Sequence, residues 1–234
     1  MRLSRNVRGI INLYTGTLLS GMGFSMVLPI MAILGEEFGV ATGTVAQIVT
    51  AYALGRTAGI PVAGIFADRL GTRVSLIAGP VLVLGGAAIG VVTPWLWPIF
   101  AAMFIAGAGD SLWAMGREIA GIDLVRSDQR GRVMSGFHGL HAAGMALGPL
   151  LGGVLADVIN FRAVFVAFVI IAAAAVALGT FAHNAHASRA PAASGIGKKG
   201  GIVERVKGIG ELVKEIEPGL RLSYAVFVFA TIGG

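Results

Sequence analysis

Two residues of opposite charge, Arg56 and Asp110, stand deep inside long apolar runs. A lone charge there costs several kcal/mol unless it is paired or reached by water. Such residues either tie two helices together as an ion pair, or take part in substrate binding or proton coupling. Arg56 precedes Asp68 by twelve residues and Asp110 precedes Asp123 by thirteen. At 1.5 Å per helical residue both lie roughly 18 to 20 Å from the ends of their helices. The shared depth predicts contact within about 6 Å. His138 and His141 are three apart, near one face of a helix, and imidazoles titrate near neutral pH. They read as titratable groups or as interhelical hydrogen bonders. Two histidines without a carboxylate or thiolate nearby predict no metal, and the chain has no cysteine. Nothing resembles a phosphate-binding loop, a nucleophile elbow or a cofactor site, so neither covalent catalysis nor a cofactor is expected. Met22, Met26, Met103, Trp113 and Met115 are candidate lining for an apolar cavity, or plain packing.

These groups must be positioned by helices in a bilayer. With 56% hydrophobic and 13% charged residues, the chain cannot keep a watered surface. Six runs are long enough to cross about 30 Å of hydrocarbon: Ile10 to Leu34, Val45 to Phe66, Val74 to Val92, Trp97 to Gly116, Val133 to Leu155 and Ala163 to Phe181. They are apolar on every face, which suits helices and not barrel strands. The net charge of +6 is distributed by loop. Arg2, Arg5 and Arg8 precede the first span; Arg69 and Arg73 follow the second; Arg117, Arg126, Arg130 and Arg132 follow the fourth; seven more Lys and Arg follow the sixth. The opposite loops hold only Arg162. By the positive-inside rule the N-terminus is cytoplasmic, and the basic excess marks topology, with no nucleic-acid partner expected. The first apolar run is about twice the length of a signal peptide's and lacks its cleavage site, so it reads as an anchor.

The second span ends Gly64-Ile-Phe-Ala-Asp68-x4-Arg73 and the fifth ends Gly153-Val-Leu-Ala-Asp157-x4-Arg162, an offset of 89 residues. At the same offset Gly55 falls on Gly144 and Gly59 on Gly148. Spans one to three therefore repeat as four to six. Three spans is an odd number, so the second copy is inverted, with Asp68 and Asp157 on opposite membrane sides. The expected architecture is an all-α membrane protein: residues 1–182 form a six-helix bundle of two inverted three-helix repeats, and 183–219 a cytoplasmic linker with an amphipathic interfacial helix. Residues 220–234 start a seventh span, too short to cross, so the chain is expected to be a fragment or to need a partner that completes it.

Gly64-x3-Asp68-Arg69-x-Gly71-x-Arg73, after Ala51-Tyr-Ala-Leu-Gly55, resembles motif A of the major facilitator superfamily. Gly144-x3-Gly148-Pro149-x2-Gly152-Gly153 resembles its motif C, a pattern associated with exporters. Asp123-Leu-Val-x4-Arg130-Gly-Arg132 is similar to the family's loop between spans four and five. In span four this chain has Met103, Ala106, Gly107 and Gly109 where drug and proton exchangers with motif C carry Arg-x-x-Gln-Gly-x-Gly. The resemblance implies the N-terminal half of a secondary transporter, working by alternating access in the bilayer on a small-molecule substrate, with a second six-helix half in the same or a partner chain. It implies that Asp68, Arg69 and Arg73 form a conformational latch, Asp68 being bonded to backbone amides or to an arginine. It also implies a bacterial inner membrane. The alternative is a non-transporting six-helix scaffold, or a half-sized unit requiring a partner.

Overall fold

The computed structural model describes residues 5–181. The expected linker, interfacial helix and seventh span lie outside the described residues. Helix α1 (Arg5–Ser25), a 3-10 turn (Leu28–Ile30) and α2 (Met31–Glu37) together make the first span. Then come α3 (Thr42–Leu70), α4 (Thr72–Val92), α5 (Leu96–Asp123), α6 (Arg130–Val158) and α7 (Phe161–Phe181). No strand occurs among the described residues. Six helical segments are long and apolar enough to cross a membrane, and the protein is a multi-pass membrane protein.

Local chemistry explains where the helices break and turn. Pro29 opens the 3-10 turn; it has no N–H to give and crowds the carbonyl four residues back, so the first span cannot run through as one helix. Between α3 and α4 a single residue reverses the chain. Gly71 has φ +85°, a conformation that a side chain resists. The apolar runs underestimate the helices: α5 continues to Asp123, past the Gly116 limit expected for span four. Arg117 therefore belongs to the span and not to the loop. The apolar run stops at Arg117, whereas the helix continues because that charge is satisfied inside the bundle.

The repeat is visible in the packing. Helix α3 packs along α5, and α6 along α1, while α4 lies against both α5 and α7. A Cβ on Gly59 would meet Ala108 and Ser111; on Gly148 it would meet Met22 and Ser25. Ser111 and Met22 are themselves offset by 89 residues, so equivalent glycines meet equivalent positions. Such contacts let backbones approach where lipid offers no hydrophobic drive for association. Tight turns reverse the chain after every span, so Asp68 and Asp157 sit at opposite ends of the bundle.

Two apolar clusters fill the interior, one around Ile48, Met103 and Phe165, the other around Leu13, Trp113 and Phe137. Met26, Met103 and Trp113 belong to this packing; Trp113 also lines a small cavity of about 20 Å³ with Leu76 and Arg117, whereas Met22, Met26, Met103 and Met115 line neither it nor the two cavities described below, which corrects their reading as cavity lining. The outward faces are also apolar. Leu54, Leu150 and Ile170 are each more than half exposed, as a lipid-facing surface requires.

Candidate functional site

The interval between the two apolar clusters is polar. On α1, Ser20 lies between Leu13 and Met26; on α5, Asp110 lies between Ala106 and Trp113. Helix spacing sets what faces this layer. Gly16 and Ser20 are four apart on α1, Tyr52 and Arg56 four apart on α3, and Asp110 and Arg117 seven apart on α5, so each pair shares a face.

Arg56 and Asp110 come together, with Nη1 3.7 Å from Oδ2. The two members differ. Asp110 is 2% exposed, whereas the Arg56 side chain is 45% exposed. Asp110 Oδ1 accepts a 2.6 Å hydrogen bond from Ser20 Oγ, while Oδ2 makes no hydrogen bond among the described residues. Arg117, buried at 4% exposure, donates from Nη2 to Ser20 Oγ at 3.2 Å and from Nη1 to Gly16 O at 3.0 Å. Its guanidinium lies 4.1 Å over the Trp113 ring. The chain Arg117 to Ser20 to Asp110 thus fastens α1 to α5, and Asp110 is held from its far side. Ser111 also donates to the backbone carbonyl of Arg56, locking α3 against α5 at the same level.

Arg117, Ser20 and Tyr52 escaped the sequence reading. Arg117 stands where the apolar run ends and so looks like a loop residue. Its spacing of seven from Asp110 was the available signal. Ser20 carried none, because a serine in an apolar helix commonly bonds its own backbone, as Thr17 does with Leu13 O at 2.8 Å.

Two cavities meet at Arg56. The larger, about 180 Å³, is lined by Ser20, Phe24, Tyr52, Arg56, His141 and Met145 among others. The smaller, about 70 Å³, is lined by Thr17, Arg56, Arg117, Glu118, His138 and His141. Both expected histidines therefore border the charged layer. His138 Nδ1 is 2.9 Å from Met134 O on its own helix, not on a neighbour.

Motif A supplies the Gly71 turn. Gly64 faces open space, and Arg69 is exposed. Asp68 is exposed and makes no hydrogen bond or ion pair among the described residues, which corrects the expectation that it is bonded at the turn in this conformation. Arg73 shares that end of the bundle, at the start of α4. At the opposite end its repeat partner Arg162 donates to Val91 O at 2.8 Å, closing the last turn of α4. In motif C, Gly144, Gly148 and Gly152 all turn inward onto the first span, against Leu18, Ser25 and Met26. Pro149 lies within unbroken helix, and Gly153 faces open space.

Comparison with known proteins gives the same picture. Over 168 residues the chain is 30% identical to the tetracycline resistance protein, class C, of Escherichia coli, covering 70% of this chain and 41% of that protein. It is 26% identical over 133 residues to the multidrug transporter protein MdtP of Bacillus subtilis, covering 57% and 24%. To the vacuolar membrane amino acid uptake transporter fnx2 of Schizosaccharomyces pombe it is 30% identical over 150 residues, covering 64% and 26%. The chain thus spans less than half the length of these relatives. Six apolar helices, the glycine-mediated repeat and a match of residues 13–233 to the sequence model of the family agree, and the chain belongs to the major facilitator superfamily.

Proposed function

We propose that this chain is the N-terminal six-helix half of a secondary active transporter that exports small organic molecules by alternating access, with its N-terminus in the cytoplasm of a bacterial inner membrane. The observation that carries the reading is the charged layer. A carboxylate, two arginines and a histidine are placed at mid-bundle beside a cavity, where a purely structural core would be apolar. Arg56 and Asp110 are the groups for substrate binding or coupling, and His138 and His141 border them as titratable neighbours. The relatives' names, two of them concerned with drug resistance or multidrug transport, support export. The inward packing of Gly144, Gly148 and Gly152 makes α6 and α1 a unit that can move as one body, with Pro149 inside α6 and Gly153 facing open space. At the other end, Gly64, Asp68, Arg69, Gly71 and Arg73 form the latch, whose acid waits for a partner outside the described bundle. That partner is the second six-helix half. The bilayer is the remaining one, and neither a metal nor a nucleic acid is needed.

The test is transport by the full-length protein in proteoliposomes, with and without an imposed proton gradient, using a panel of small organic solutes. Gradient-dependent flux lost in the Asp110→Asn variant is expected. A folded protein that moves none of the panel under either condition would favour the scaffold reading.

A further inference from the structure

The Arg56–Asp110 pair is lopsided in a way that a structural ion pair need not be. Asp110 is fixed by Ser20, which is fixed by Arg117. Arg56 is not fixed: its guanidinium donates no hydrogen bond among the described residues, and its nearest carboxylate oxygen, at 3.7 Å, is beyond ordinary hydrogen-bond length. Arg56 thus lines a cavity inside an apolar bundle with none of its five N–H donors at hydrogen-bond length from an acceptor among the described residues. Among the described residues the local charge does not balance either. Two guanidinium groups face one buried carboxylate, and the next acid, Glu118 on α5, lines only the smaller cavity. Tyr52 from α3 and His138 and His141 from α6 are the other ionisable groups lining the two cavities. The same cavity has apolar lining: the Phe24 and Tyr52 rings, stacked on each other with centroids 3.7 Å apart and planes 7° apart, with Val49 and Met145.

We infer that the larger cavity binds a planar organic carboxylate, whose anionic group takes the free donors of Arg56 while its ring lies along the Phe24 and Tyr52 wall. A guanidinium fork matches a carboxylate bidentately, and aromatic walls favour flat apolar bodies. Size agrees, because an apolar cavity of about 150 Å³ admits benzene and this one is about 180 Å³. Asp110 stands where it can substitute for the ligand's carboxylate, but at 3.7 Å it is too far to satisfy Arg56. Ligand binding supplies the missing negative charge and needs no change in the Ser20 and Arg117 bonds. The inference rests on the transporter reading, since it takes the cavity as the substrate site.

Three probes of similar shape and different charge test it: benzoate, benzyl alcohol and benzyltrimethylammonium, added to the purified full-length protein and followed by thermal stability and by titration calorimetry. Benzoate alone should raise the melting temperature. Arg56→Lys should weaken benzoate by about tenfold, because the point charge remains and the fork is lost. Arg56→Gln should abolish the response. Asp110→Asn should tighten it several-fold by removing the internal competitor. The probe comparison in the unsubstituted protein stands even where a variant fails to fold. Absence of a benzoate response, a response that survives Arg56→Gln, or preferential binding of benzyltrimethylammonium that is lost in Asp110→Asn overturns the inference. Flux in proteoliposomes separates the two readings: transport of benzyltrimethylammonium without benzoate keeps the transporter and sinks the anion site, whereas benzoate binding without flux of any probe does the reverse.

Discussion

The two repeats use one packing arrangement for two chemistries. Where α3 meets α5, Arg56 stands against Asp110; at the positions 89 residues away, where α6 meets α1, Met145 stands against Gly21. A Cβ on Gly21 would press on Met145 N and His141 O, so the second contact is close backbone packing that needs no charge. The comparison teaches that a helix crossing of this kind is complete without an ion pair. Placing charges in one copy costs desolvation that the other copy avoids, and a cost carried without structural need points to function.

The largest expected effect strikes what both repeats share. Replacing Gly55 or Gly144 with leucine drives a side chain into Phe104 O or Leu18 O and forces the helices apart. Each should cost at least ~3 kcal/mol by overpacking and strain, read as loss of monodisperse protein on size exclusion. Equal loss from the two sites would confirm their equivalence, and tolerance at either would break it.

Next in size comes the charge pair itself. Arg56→Ala leaves Asp110 buried without a cation at Oδ2, whereas Asp110→Ala leaves an arginine that can still reach water, so Arg56→Ala should lower folded yield more. The double variant Arg56→Met with Asp110→Gly copies the apolar repeat into the charged one. It should recover yield and melting temperature yet show no transport. Recovery of transport would demote the pair to a helix fastener.

A smaller effect belongs to the link that holds Asp110. Arg117→Gln removes hydrogen bonds to Gly16 O and Ser20 Oγ and the contact over Trp113. About 2 to 3 kcal/mol is expected from charge-assisted bonds in a buried site, seen as a drop of several degrees in melting temperature. Ser20→Ala should cost about 1 kcal/mol, because it removes the hydrogen bond that Asp110 Oδ1 accepts.

Smallest of all, Gly64→Ala and Gly153→Ala add a Cβ into open space and should change stability by less than ~0.5 kcal/mol. Any loss of transport from them in well-folded protein would locate an approaching surface outside the described bundle. That would sharpen the contrast between glycines that pack the repeats and glycines that lie on its outside.

The sequence by itself determined the six crossings, the repeat and the shared depth of Arg56 and Asp110, because each follows from a one-dimensional quantity. Apolar length sets the number of spans, an offset of 89 residues sets the repeat, and distance from a helix end sets depth. Only the tertiary structure decided who else joins the pair. Arg117 looks like loop until α5 is seen to carry it inside, where α1 offers Gly16 O and Ser20. Ser20 looks like any helix serine until α5 brings a carboxylate to it from 90 residues away. The glycines of motif C could have faced inward or outward, and helix rotation within the bundle turned Gly144, Gly148 and Gly152 onto the first span while leaving Gly153 open. Partner choice among helices depends on rotation and tilt, which arise from the summed packing of all six spans in a solvent that does not rank one apolar face above another.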